Sequence, residues 1–311
     1  MKRLRAVASA LATASRSGAT QSAYASDCRD FERWCLRARR KPLPATPETL
    51  MLYVASQLET HRVSSVERRV AAIADAHRVA GARSPSPKGG PVCGVLAGAR
   101  RGKKAPSLAK AALRPEDLRH ICVKLQRSHG RVAVRDRALL VIGFAAGMRR
   151  SELAGLDLAD VQFVRQGLLV TIRRGKTDQE GKGRSVGIFR GSRASTCPVR
   201  SLVAWLKVRG KKPGPLFPGG PQLSGSRGSA PRLVGASINN IVRRAVKLVG
   251  LDPKLYGAHS LRSGFVTAAA EAGMPETLIM QRTGHRSVQT VARYVRPATA
   301  FSSGDVLRKA L

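Results

Sequence analysis

Apolar residues recur at helical spacing along most of the chain, and only between residues 161 and 188 does the period shorten to that of strands. In the first third, Tyr24, Cys28, Phe31 and Cys35 form one stripe and Val63, Val66, Val70 and Ile73 another. Between them Thr46-Pro47-Glu48 is a helix-start signal, a capping hydroxyl followed by proline in the first turn, which leads into Leu50, Tyr53, Val54 and Leu58. Three stripes that share one core predict a small helical bundle. Further on, Pro115-Glu116-Asp117 opens a helix with acidic residues at its positive end, and the apolar run 137–146 is short enough to be a core helix. Segments 161–164, 168–172 and 185–188 read as three short strands, joined by Gln166-Gly167 and by the polar loop 175–183. Helical periodicity returns at 202–208, 238–249, 261–271 and 288–296. The expected fold is mainly α with one small antiparallel β-sheet, an α+β chain without internal repeats.

A length of 311 residues suits two domains, each with a core of its own. The Ser/Pro/Gly-rich stretch 84–91 and the basic run Arg100-Arg101-Gly102-Lys103-Lys104 mark a change of composition. The boundaries drawn from this are an N-terminal arm at 1–15, a helical domain at 16–100, a linker at 101–113 and a second domain at 114–311. Lys2-Arg3-Leu4-Arg5 followed by an Ala-rich stretch imitates an export signal, but alanines diluted by Ser and Thr suit a short surface helix or arm better.

Charge decides the partner. With 56 Lys and Arg against 19 Asp and Glu the chain carries a formal +37, which calls for a polyanion. The basic residues are spread over the whole length and no apolar run approaches the roughly 18 residues of a membrane span, so double-stranded DNA is expected and a membrane is not. Arg62, Arg68 and Arg69 lie off the apolar stripe of the third helix, and Arg101, Lys103 and Lys104 lie in the linker; all six are candidates for phosphate contact, with a solvated basic face or tether as the plainer reading. Cys28, Cys35, Cys93, Cys122 and Cys197 form neither a C-x-x-C pair nor a metal spacing with the six histidines, and read as reduced thiols of a cytoplasmic, nucleoid-associated protein.

Cutting a phosphodiester with a side chain needs a nucleophile, cations for the phosphoryl oxygens, a base, and an acid for the leaving oxygen. No carboxylate cluster is present to hold a metal, so no metal or other cofactor is expected, and arginine is the alternative cation because its planar fork pairs with phosphate and stays protonated. Gly147-Met148-Arg149-Arg150-Ser151-Glu152-Leu153 places an arginine behind the core helix with a carboxylate to buttress it. In Gly257-Ala258-His259-Ser260-Leu261-Arg262, His259 and Arg262 stand three positions apart and share a helix face. Thr283-Gly284-His285-Arg286-Ser287 adds His285, and nine positions later comes Tyr294, on a helix that Ser287 should cap and Pro297 should end.

As an ordered set these residues resemble the tyrosine recombinase, or phage integrase, family. Its pattern is an arginine in a Gly-Leu-Arg-x-Ser-Glu-Leu-like stretch, a lysine in a strand turn, His-x-x-Arg, Gly-His and a C-terminal tyrosine. The resemblance covers the second domain; Met148 replaces the commoner leucine, and Arg149, His259, Arg262, His285 and Tyr294 match. Lys176 and Lys182 both lie in the polar loop; Lys176 follows the strand more closely and is taken as the family's lysine, with Lys182 as the alternative. Tyr24, Tyr53 and Tyr256 fall outside the motif. The resemblance implies a site-specific recombinase that cuts and rejoins DNA through a 3′-phosphotyrosyl bond without ATP, for integration or excision. Arg149, Arg262 and His285 would stabilise the transition state, His259 would move a proton and Lys176 would act as acid. It further implies a core-binding role for the helical domain, a tetramer on DNA, a tail at 301–311 that docks on a neighbouring subunit or folds back on its own, and room for accessory DNA-bending proteins. A type IB topoisomerase shares the chemistry without exchanging partners, and a DNA-binding protein without catalysis is the rival of another class.

Overall fold

The computed structural model describes residues 18–102, 110–128, 130–173, 183–219 and 231–299. The arm at 1–15, Lys103, Lys104, Lys176, Lys182 and the tail at 301–311 therefore lie outside the described residues. The chain divides into two compact units, Met1–Leu108 and Ala109–Leu311.

The first unit contains α1 (Gly18–Arg37), α2 (Pro47–Thr60), α3 (Val63–Val79) and α4 (Pro91–Gly102). Thr46 Oγ1 accepts the Thr49 N–H at 3.1 Å and starts α2, as the sequence suggests. The stripes meet in one core of Phe31, Cys35, Leu50, Tyr53, Val54, Val66, Val70 and Ile73, to which Val92 and Leu96 of α4 are added. Phe31 and Trp34 both stand edge-on to Tyr53, at 5.0 and 5.5 Å between ring centres. The fourth helix is a correction. Gly94 and Gly98 hide its periodicity, and Arg101, assigned to the linker, is an exposed residue of its last turn.

Arg68 and Arg69 are both paired within the first unit. Arg68 makes a two-pronged bond to Asp27, at 2.8 and 2.9 Å, and Arg69 turns inward to Asp30, Tyr53 and Gln57 with 14 % of its side chain exposed. Asp27 is itself buried, and a buried carboxylate requires a paired cation, so these arginines tie α1 to α3 and α2. Arg62 stands exposed at the cap position of α3.

In the second unit α5 (Pro115–Arg127) leads to α6 (Arg131–Ala145), the central helix, buried over most of its length. The six-residue α7 (Arg150–Gly155) follows, then β1 (Val161–Val164), β2 (Gly167–Ile172) and β3 (Arg184–Phe189). These form an antiparallel sheet in the order β1-β2-β3 with Leu168 opposite Ile188, Val170 opposite Val186 and Ile172 opposite Arg184. Leu168, Val170, Ile172, Val186 and Ile188 bury one face, as a period of two demands. The rest is helical: α8 (Pro198–Arg209), α9 (Gly235–Lys247), α10 (Ala258–Glu271), α11 (Glu276–Thr283) and α12 (Val288–Thr299). Packing of α6 against α5, α8 and α10 makes the core, and α10, α11 and α12 enclose a smaller cluster of Phe265, Val266, Ala269, Ala270, Ile279 and Val291.

Two boundaries differ from the sequence reading. The end of the predicted linker is part of the second unit, because Ala111 N–H bonds Leu255 O, Leu113 N–H bonds Ser260 O, and Leu113 is fully buried. Pro297 does not end α12, which runs on to Thr299.

Candidate active site

Three chain turns converge in the second unit. At the first, Gly147 takes φ +58° after α6, and a Cβ there would meet Phe265 and Thr283 atoms at 2.8 Å, so only glycine lets the chain turn so close to α10 and α11. Its carbonyl accepts Arg262 Nη1 at 2.8 Å. At the second, Gly284 ends α11 in the left-handed conformation, leaving the Thr283 and Gly284 carbonyls to side-chain donors. At the third, the N-terminus of α10 is pinned by Ala258 N–H to Asn239 Oδ1 at 2.8 Å, which fixes His259 and Arg262 on one face.

The two arginines come together on neighbouring carbonyls. Arg262 Nη1 donates to Thr283 O at 2.6 Å and Arg149 Nη2 to Gly284 O at 2.6 Å. Arg262 is 2 % exposed, and its Nη2 is buried without a hydrogen-bond partner among the described residues. Burial, then the Arg149 charge, lowers its pKa to about 10. Such a donor is costly to leave unpaired, by about 1–3 kcal/mol.

Glu152 is the counter-ion. Its carboxylate, with no exposed surface, accepts Arg149 Nη1 on Oε1 at 2.7 Å and the Arg149 backbone N–H on Oε2 at 2.9 Å. It also accepts Arg184 Nη1 on Oε1 at 3.0 Å and Nη2 on Oε2 at 2.8 Å. Burial acts to raise its pKa, but the hydrogen bonds and charge of Arg184, followed by those of Arg149, prevail and hold the carboxyl below its ordinary value. The sequence shows Glu152 as a buttress for Arg149, whereas no local motif marks Arg184.

His259 Nε2 lies 2.7 Å from the Tyr294 hydroxyl, joining α10 to α12. Burial and then the Arg262 charge depress the His259 pKa, so the ring is neutral at pH 7 and can accept the phenolic proton. Tyr294 is half-buried against the α10–α12 cluster. His285 Nδ1 is 2.7 Å from Thr283 Oγ1, and burial, then Arg262 and Arg149, push its pKa down to about 4. Ser287 stands just before α12 with its hydroxyl donated to Gln289 Oε1 at 2.6 Å. Arg149 and Arg262 thus bond adjacent carbonyls, Arg262 and His285 both bond Thr283, and His259 bonds Tyr294; Lys176 lies outside the described residues, and Arg62, Arg68, Arg69 and Arg101 belong to the other unit.

Among the described residues no group of three or more His, Cys, Asp or Glu is placed to hold a metal, and no helix is long and apolar enough to cross a membrane.

The site thus sets a buried and a part-buried arginine beside a histidine-bound tyrosine. The model of the phage integrase family matches residues 110–300. An integrase/recombinase xerD homolog of Selenomonas ruminantium is 33 % identical over 296 residues, covering 94 % of this chain and 86 % of that protein. The tyrosine recombinase XerC of Myxococcus xanthus is 26 % identical, covering 88 % and 85 % respectively. Among solved structures, the Tn1549 transposon integrase in complex with transposon right end DNA superposes with a TM-score of 0.63 at 17 % identity, covering 94 % of this chain and 93 % of that one. A lambda integrase dimer bound to a core site gives 0.59 at 16 %, with the same coverage. The chain belongs to the phage integrase family, that of the tyrosine recombinases.

Proposed function

We propose that this site-specific recombinase breaks and rejoins double-stranded DNA with Tyr294 as nucleophile. The Tyr294 oxygen attacks the scissile phosphorus, its proton passes to His259 Nε2, the bond from phosphorus to the 5′-oxygen breaks, and a 3′-phosphotyrosyl linkage remains. Lys176 donates the proton that the leaving 5′-oxygen needs. The reverse attack by a 5′-hydroxyl restores the phosphodiester, and since bond energy is retained no nucleotide is consumed. Arg149 and Arg262 hold the two non-bridging oxygens, with His285 beside them, where charge grows in the transition state.

The observation that carries this reading is the 2.7 Å contact between His259 Nε2 and the Tyr294 hydroxyl, next to an arginine whose buried Nη2 has no partner among the described residues. The helical first unit is the second grip on DNA. Among the solved structures of this fold, a lambda integrase dimer is bound to a core site and a XerH recombinase to a palindromic substrate in a post-cleavage complex; by the same chemistry this chain would act as a tetramer on two paired sites, for integration or excision.

The test is covalent capture. Nicked duplexes carrying a random-sequence segment are incubated with the chain and washed under denaturing conditions, and the retained DNA is sequenced. Wild type should retain a defined duplex and Tyr294→Phe none, although it binds the same duplex. Capture by Tyr294→Phe refutes the nucleophile. Relaxation of any supercoiled plasmid, with no duplex preferred, would instead mark type IB topoisomerase behaviour.

A further inference from the structure

Arg184 begins β3 at a position that faces the core. Its register partner is Ile172, and Val186 and Ile188, two and four residues on, are buried on the same face. An arginine there must be paired, and all three of its donor nitrogens are used: Nη1 and Nη2 on Glu152, Nε on the Arg282 carbonyl at 3.3 Å.

A carboxylate offers about four acceptor positions. On Glu152 they are filled by Arg149 Nη1 and the Arg149 backbone N–H, and by the two terminal nitrogens of Arg184. A carboxylate occupied in this way cannot rotate to take Arg149 by both prongs. Arg149 is therefore held by one prong, and its Nη2 stays on the Gly284 carbonyl, beside the Thr283 carbonyl that Arg262 uses. Without Arg184 two acceptor positions open, and a two-pronged Glu152–Arg149 pair, the preferred geometry of these groups, becomes available. That pairing turns the Arg149 fork away from Arg262.

We infer that Arg184 is a positioning residue of the phosphate site, which by filling half of the Glu152 carboxylate keeps Arg149 aimed at the place where Arg262 also points. The inference rests on the proposed role of Arg149 and Arg262 as the phosphate-binding pair.

The experiment is single-turnover covalent capture of the nicked duplex retained by wild type, using the full chain with Arg184→Lys and Arg184→Gln, each alone and combined with Arg149→Ala. Lysine keeps the charge but has one nitrogen in place of the fork, so both single variants should slow capture on the order of 10- to 100-fold while duplex affinity and its salt dependence stay unchanged. With Arg149 already removed, changing Arg184 should cost nothing more. A merely structural role would lower the unfolding midpoint and weaken binding, and would show no such dependence on Arg149. Additive losses in the double variants, or single variants as fast as wild type, would overturn the inference. If Arg184→Gln fails to fold, Arg184→Lys alone carries the same cycle. When wild type captures DNA and the variants match it, only the role of Arg184 is lost; when wild type captures none, the reading of Tyr294 goes first.

Discussion

His285 and His259 both feel the Arg262 charge but are held in different protonation frames. Thr283 Oγ1 has one proton, and at 2.6 Å from the Ile279 carbonyl that proton is committed, so toward His285 it can only accept. His285 therefore carries its proton on Nδ1, and in the neutral ring Nε2 is a bare lone pair. Burial and the surrounding arginines keep it neutral down to about pH 4. To donate to a phosphoryl oxygen it must gain a proton, and an incoming phosphate supplies the charge that favours this. Duplex binding near pH 6 is thus expected to take up protons, seen calorimetrically as an enthalpy that changes with the ionisation enthalpy of the buffer; His285→Asn should abolish the dependence. No uptake by wild type would exclude the donor role. His259 must instead be neutral to receive the Tyr294 proton, and its depressed pKa keeps it so. The capture rate should hold steady as pH falls from 8 and decline only below about 6.5, the ordinary imidazole value; an acid limb above that value would exclude His259 as the base.

At the scale of elements, the seating of α10 depends on close packing at one of its residues. Gly264 lies against the segment that leads into α5, where an added Cβ would stand 2.1 Å from the Leu113 carbonyl and 2.9 Å from the Phe144 ring. Neither neighbour can yield easily, since one is backbone and the other is a ring of the central helix itself. Gly264→Ala should destabilise the second unit by about 1–3 kcal/mol, read as a lower urea midpoint, with the first unit unaffected; an unchanged midpoint would mean that this contact is slack. The same elements show what sequence could reveal. Stripes such as Val63, Val66, Val70 and Ile73 announce their helices because each residue faces the core, and His259 and Arg262 could be paired from a spacing of three. Helix α4 escaped notice because Gly94 and Gly98 dilute its stripe, and α7 is too short to show a period at all. Arg184 escaped because the strand was read from residue 185, one short of the place where alternation puts a charge on the apolar face. Its significance lies in a partner, Glu152, that is 32 residues away, and no local pattern encodes that pairing.

For the whole molecule the excess of cations is the governing quantity, and the fold sorts which of them are available. A formal +37 favours DNA at long range, but an arginine already bonded within a unit releases no counter-ion when DNA binds. Arg68 and Arg69 are both bonded within the first unit, Arg68 with half of its side chain still exposed. Their carboxylates, Asp27 and Asp30, are among only 19 acidic residues, and Asp27 is buried, so the pairing is an internal requirement of the first bundle. If about 6–10 phosphates are neutralised, affinity for the captured duplex should fall by roughly 10³–10⁵ between about 50 and 200 mM salt. Replacing a phosphate-contacting cation should lower the log–log salt slope by about 0.9. Arg68→Ala should leave the slope where it was and lower the unfolding midpoint of the first unit instead, because Asp27 keeps its burial and loses its two-pronged partner. Titration of the duplex across that salt range, alongside thermal unfolding of the same protein, separates the two cases: a shallower slope with an unmoved midpoint would return Arg68 to the DNA-facing surface.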